Sequence, residues 1–219
     1  MQIILATKNQ GKIKEIQYLA QEHHPNLFEF LPIPNHIGNI DEPYPTFVEN
    51  ALHKAREVSK HSASAVIAED SGLIVPALKG MPGIYSARYG SINNNDKVIN
   101  NFDDQLNNQK LLTELKNLTQ NSSESISRAA YYFCACVYIK AYDDQHPLIT
   151  QGIWHGEIID KEIGNNGFGY DPLFWLKDLQ KTSAQLTLAE KCKISHRAKA
   201  LIKMFDELKT FDSNQYYSK

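Results

Sequence analysis

Cysteine is scarce in this chain. Only Cys134, Cys136 and Cys192 occur among 219 residues, with no CxxC and no Cys/His spacing of a zinc site. Three thiols cannot close a disulfide framework, so a disulfide scaffold and a structural zinc module are both excluded as readings. Cys134 and Cys136 alternate within an apolar run and read as small buried hydrophobes. An excess of basic charge is also missing: 23 Lys and Arg stand against 25 Asp and Glu, a net charge of -2. A broad nucleic-acid-binding surface is therefore not expected, and any phosphate must be met by a local cluster of cations. No apolar stretch reaches membrane-spanning length, so no membrane partner is expected. The opening MQIILATKNQ has no basic segment followed by a long apolar one, so a signal peptide is not expected and a cytoplasmic location is. Internal repeats and low-complexity linkers are absent as well. A single α/β domain over residues 1–210, with two lobes around a cleft and a tail at 211–219, is the simplest organisation.

What is present begins with GNNGFGYDPLF at 164–174. Glycine reaches backbone conformations closed to other residues, so this run is a loop able to bring bare backbone against a ligand. Pro172 biases Asp171 towards extended geometry, and residues 173–176 read as a short buried strand. Such a loop can offer Phe168 as a stacking face and Asp171 as a hydrogen-bonding edge, which suits a planar heterocycle.

At the N-terminus an apolar run (2–6) leads through Thr7, Lys8, Asn9, Gln10, Gly11 and Lys12 into helical spacing of Ile13, Ile16 and Leu19. A strand, a polar turn and a helix start place free N–H groups and a lysine where an anion can sit. The GxxxxGK[ST] pattern of a Walker A loop is absent. Residues 27–33 read as a second strand. Thr46 and Glu49 have capping-box spacing, and the helix they open is expected to run to about 60. Lys54 falls on its apolar face, where an ammonium either meets an anion or snorkels. Residues 65–68 read as a buried strand ending in a turn at Glu69, Asp70, Ser71 and Gly72, with another strand after it. Acidic residues at a strand end suit Mg²⁺, which takes carboxylate, water and phosphate oxygens.

Residues 93–108 read as a polar connection with a short helix, and 111–118 as an amphipathic helix. Alternation over 129–142 and 148–159 predicts two paired strands. Thr187 and Glu190 again have capping-box spacing. Lys191 follows, and Ser195 is the expected cap of a last helix with His196 and Arg197 in its first turn. Cations at 12, 54 and 191, acids at 42, 69 and 70, a Gly-rich aromatic loop and a cation pair at a helix start together suit chemistry on a nucleotide phosphoanhydride. There, catalysis is largely positioning and charge neutralisation.

TKNQGK at 7–12, EDSGL at 69–73, PGIYSARY at 82–89, GFGYDPLF at 167–174 and SHRAKAL at 195–201 resemble, in order, the pyrophosphatases of non-standard purine nucleoside triphosphates. The resemblance to this inosine/xanthosine triphosphate diphosphatase family spans about residues 1–208. It implies a mixed α/β fold, with a mixed central sheet, flanking helices and an active-site cleft between two lobes, and a homodimer. It also implies Mg²⁺-dependent hydrolysis between the α- and β-phosphates, giving a monophosphate and pyrophosphate. Carried onto this chain, residues 7–12 hold the triphosphate, with Lys12 and Lys54 as catalytic cations. Asp70 activates water and binds metal, Glu42 is the second metal ligand, and Asp41 or Glu69 can share that task. Ser71 contacts substrate, Phe168 to Asp171 bind the base, Lys191 the phosphates, and His196 and Arg197 the purine edge.

The chain departs from the commonest family pattern at several places. Glu69 stands where many bacterial members have a second aspartate, and Asp41 where many have glutamate. Pro43 and Pro45 stiffen the loop after Glu42, and 92–105 resembles an insertion. The competing readings are a nucleotide hydrolase of other base specificity and a catalytically silent nucleotide-binding module.

Overall fold

Apolar runs bounded by turns become strands here, and amphipathic segments become the helices that cover them. The computed structural model describes residues 1–92 and 103–214, with side chains to residue 210. Its elements are β1 (Gln2–Leu5), α1 (Gln10–His23), β2 (Glu29–Leu31), α2 (Phe47–Ser62) and β3 (Val66–Ile74). Two 3-10 segments follow, Pro76–Leu78 and Gly83–Ser91, and then α3 (Asp104–Gln120), β4 (Ala129–Ile139) and β5 (Leu148–Ile158). The chain ends with β6 (Phe174–Leu176), β7 (Lys181–Thr182), α4 (Leu188–Ile194) and α5 (His196–Asn214). The strands form one sheet in the order β2-β1-β3-β4-β5-β6-β7. β1 pairs in parallel with β2 and β3, whereas β6 pairs antiparallel with β5 and β7, so the sheet is mixed, as expected.

The residues cluster into two compact units. The first comprises Met1–Asp70, Cys134–Gly152 and Cys192–Lys219; the second comprises Ser71–Phe133 and Ile153–Lys191. In the first unit, strand alternation sorts the core into two layers. Ile3, Leu5 and Ile67 pack with Ile16 and Leu19 of α1 and with Leu201, Met204 and Phe205 of α5. Ile4, Val66 and Ala68 pack instead with Ala51, Ala55 and Val58 of α2. Each large apolar side chain buried this way contributes about 1.5–3 kcal/mol. Gly152 lies against α5, where any Cβ would collide with the His196 carbonyl. In the second unit, Phe174 sits 4.7 Å from the Tyr132 ring and 5.2 Å from the Trp154 ring. A Cβ at Gly156 would meet the Phe174 ring at 2.6 Å, so the packing requires glycine there.

Several expectations are corrected. The predicted turn at 69–72 is instead the middle of β3, which runs unbroken from Val66 to Ile74. In a strand, successive side chains face opposite ways, so Glu69 and Asp70 each find cations on their own face and need no turn to reach solvent. The helix expected at 111–118 begins seven residues earlier, at Asp104. Asp103 caps it by accepting the N–H groups of Gln105 and Leu106. Its buried face carries Asn107 and Asn108 before Leu111 and Leu115, which hid the helical period from a hydrophobicity reading. β2 is also shorter than expected. Helix α5 continues through the first residues of the expected 211–219 tail, and residues 215–219 lie outside the described residues. So do residues 93–102, most of the expected insertion and much of the expected polar connection.

Candidate active site

The first unit gathers the charged residues about β3. Glu69, 3 % exposed, accepts from Arg197 Nε at 3.2 Å and lies 2.5 Å from Lys12 Nζ. Arg197 Nη1 also donates to Glu15 at 2.5 Å. The thiol of Cys134 donates to Glu69 Oε2 at 3.3 Å, so this buried cysteine is a small hydrophobe that also serves the carboxylate. Burial by itself would raise the Glu69 carboxyl, but Arg197, Lys12 and Lys54 outweigh it and hold the group well below the usual carboxylate range. The same carboxylates hold the Arg197 guanidinium well above its ordinary value, against burial.

Asp70 is 4 % exposed and has different company. Lys54 Nζ lies 3.8 Å from Asp70 Oδ1 and 2.5 Å from Glu42 Oε1. The lysine on the apolar face of α2 therefore meets anions, and those two carboxylates raise its pKa against desolvation. Burial pushes the Asp70 carboxyl up to about 6. Lys54 opposes that rise and the neighbouring Glu42 adds to it. A carboxyl in that range is a competent base near neutral pH. Glu42 and Asp70 supply hard oxygen donors of the kind Mg²⁺ takes. Among the described residues, no cluster of three or more His, Cys, Asp or Glu forms a protein-only cage. The donor set thus fits a Mg²⁺ whose remaining ligands are phosphate and water oxygens.

The 7–12 segment forms as expected between β1 and α1. Asn9 caps α1 and accepts the Lys12 N–H at 3.1 Å, which occupies one of the helix-start donors. Thr7 Oγ1 accepts the Asn9 N–H, and Gln10 Nε2 donates to the Lys8 carbonyl. Lys8 reaches the Ile37 carbonyl at 3.2 Å. Lys8, Asn9 and Gln10 are exposed, and Gly11 lies in the first turn of the helix. At α5, Ser195 accepts the Ala198 N–H, and both His196 and Arg197 are buried at the helix start.

The second unit holds the Gly-rich loop. Asp171, 2 % exposed, accepts from Lys191 Nζ at 2.6 Å, from the Ser183 hydroxyl at 2.9 Å and from the Phe168 N–H at 3.0 Å. Tyr170 is equally buried and donates its hydroxyl to the Ser86 carbonyl at 2.8 Å. Lys191 Nζ sits 5.0 Å from the centre of the Phe168 ring. Gly167 has φ +79°, and a Cβ on it would collide with Asp171 Oδ2. The tight loop therefore requires glycine at that position. Phe168 and Gly169 remain half-buried, and Ser71 is half-buried on β3.

The sequence model of the Ham1 family matches residues 3–207 of the chain. The chain belongs to the Ham1 family. A dITP/XTP pyrophosphatase of Legionella pneumophila (strain Lens) is 45 % identical over 203 residues, covering 91 % of this chain and 94 % of the relative. A dITP/XTP pyrophosphatase of Ralstonia nicotianae is 41 % identical over 212 residues, covering 96 % of this chain and 98 % of that one. Among solved structures, a HAM1 protein from Coxiella burnetii superposes with a TM-score of 0.80 at 35 % identity, covering 96 % of this chain and 99 % of that one.

Within this Ham1 chain, Lys12, Glu42, Lys54, Glu69, Asp70 and Arg197 are thus brought into one ionic set, and Phe168, Asp171 and Lys191 into another. Asp171 was expected on the loop's polar edge; it lies beneath the loop, where its carboxylate holds the turn closed. Sequence reasoning missed four supporting residues: Glu15, Ser183, Asp104 and Asn108. Glu15 gave a signal, since it lies beside Ile16 and one turn before Leu19, on a helix side where a charge needs a partner. The other three sit in polar stretches and gave none.

Proposed function

We propose that this chain hydrolyses deaminated purine nucleoside triphosphates, those of inosine, deoxyinosine and xanthosine, to the monophosphate and pyrophosphate. It thereby keeps them out of DNA and RNA. The observation that carries the reading is Asp70: a buried carboxyl raised to about 6, beside Lys54 and Glu42. Asp70 removes a proton from water as that water attacks the α-phosphorus. The bond to the bridging oxygen breaks, and pyrophosphate leaves. Lys54 lies against both carboxylates, and Lys12, paired with Glu69, adds positive charge for the triphosphate. Glu42 and Asp70, with oxygens of the substrate, would hold a Mg²⁺, which would neutralise phosphate charge.

Residues 7–12 are assigned to the phosphates, with Ser71 as a further contact and Lys191 as a further cation. Phe168 is assigned as the stacking face of the purine, on a loop shaped by Gly169, Tyr170 and Asp171. His196 and Arg197 are assigned to the 6-oxo edge. An adenine amino group aimed at buried donors would leave them unpaired, which is how such an edge is selected. Residues 1–210 act as the catalytic domain, in a cytoplasmic homodimer.

The test is product analysis with Mg²⁺ on deoxyinosine triphosphate beside the deoxyadenosine and deoxyguanosine triphosphates. Pyrophosphate plus monophosphate from the inosine substrate alone, abolished by Asp70→Asn, is expected. Orthophosphate, or equal turnover of all three, would remove the assignment.

A further inference from the structure

Both backbone polar groups of Gly169 are held by helix α3. Asn108 Nδ2 donates to the Gly169 carbonyl at 3.3 Å, and the Gly169 N–H donates to Asp104 Oδ2 at 2.7 Å. Asp104 and Asn108 are four residues apart, so they stand one above the other on a single side of the helix. Asn108 also donates to Glu162 Oε1 at 2.8 Å, from the segment leading into the loop. The neighbours of Gly169 are fixed otherwise: the Phe168 N–H by Asp171, and the Tyr170 hydroxyl by Ser86. Gly169 itself has φ +61° and open space where a Cβ would be, so no side-chain packing fixes its backbone. The two α3 side chains do that.

Asn108 is 4 % exposed, and its Oδ1 is buried with no hydrogen-bond partner among the described residues. A lone buried acceptor costs stability, and such groups call for an explanation beyond packing. A leucine would fill that site on an apolar helix face without the cost. What asparagine adds is an amide with two N–H groups, both directed at the loop and its approach.

We propose that Asn108, with Asp104 at its side, is a positioning residue that sets the backbone of the loop at Gly169 and thereby the stacking face of Phe168. The pair acts on recognition of the base, not on the chemistry at phosphorus. This rests on the assignment of Phe168 to the purine made above.

The test uses the full chain with Asn108→Ala, Asp104→Leu and Asp104→Asn. Hydrogen exchange of the 164–173 amides is read without nucleotide, and steady-state kinetics with deoxyinosine triphosphate. In Asn108→Ala, loop exchange accelerates and KM rises by about ten-fold, equivalent to about 1.4 kcal/mol, while kcat stays within about two-fold. Asp104→Leu, at an exposed position that tolerates change, shifts both readouts the same way by less. Asp104→Asn keeps an acceptor for the Gly169 N–H and restores wild-type exchange and KM. Unchanged loop exchange, or a fall in kcat at constant KM, would overturn the proposal. So would an Asp104→Asn protein as impaired as Asp104→Leu. If the wild type turns over no deaminated nucleotide, the functional assignment fails, and the exchange measurement still decides whether α3 holds the loop.

Discussion

Each unit of this Ham1 chain buries an aspartate beside a lysine, and the two pairs are built differently. Asp171 is closed: a lysine, a serine hydroxyl and a backbone N–H converge on it, with the lysine at 2.6 Å. Asp70 stands farther from its lysine, at 3.8 Å, and shares that lysine with Glu42. A carboxylate with a full set of donors is a structural clamp. One that is buried next to another carboxylate holds its proton more tightly. The difference lies in the distance to the lysine and in the neighbouring carboxylate, not in burial, because both side chains are almost fully buried.

The comparison breaks most sharply at Asp70. Asp70→Asn is expected to lower kcat by about 10³-fold with the fold intact, within the range for loss of a general base. A loss under ten-fold would move the base elsewhere. The same variant gives a pH test in magnesium-free buffer. Because the folded-state carboxyl is raised to about 6, wild-type stability falls as pH rises from the unfolded aspartate value of about 4 towards 6. Asn108 and the loop are untouched by this, so the advantage of Asp70→Asn in thermal unfolding should grow across that window and level off above it. An advantage that shrinks with rising pH contradicts the assigned shift.

Arg197→Met probes the other face of β3. It leaves Glu15 and Glu69 buried with fewer cations, at a cost of about 3–5 kcal/mol in denaturant unfolding. A cost near zero would mean the pair is effectively solvated. On the clamp side, Asp171→Asn removes the charge from a buried pair and should cost about 2–3 kcal/mol while raising KM more than it lowers kcat. Equal loss of kcat would make the two aspartates alike in role. Gly167→Ala follows, at about 1–3 kcal/mol, since it adds a Cβ where Asp171 sits and at φ +79°. The smallest effect is Thr46→Ala, which removes the cap of α2 and should cost about 1 kcal/mol with kinetics unchanged.

Much of the site was legible because single residues broke their local pattern. Lys54 on an apolar helix face narrowed the choice to an anion or a snorkelling stem, and the structure supplies Glu42 and Asp70. The glycines around Phe168 announced a tight loop, and Gly167 makes its contact with Asp171. The capping residues Thr46, Thr187 and Ser195 were readable since their partners lie three residues away. Glu69 and Asp70 were misread as a turn for the opposite reason. What keeps them in a strand is Arg197, 128 positions along the chain, and Lys12 and Lys54 before them.

The amino-acid sequence by itself determined most of the strands and helices, the buried thiols and the residue types available for phosphate chemistry, because periodicity and capping are local. Tertiary structure alone decided which carboxylate lies tight against its lysine and which shares its lysine with a second carboxylate. It also decided that α3 begins at Asp104 and reaches Gly169 through Asn108. Those outcomes depend on burial and on charges brought from distant positions, and neither is written in any one segment.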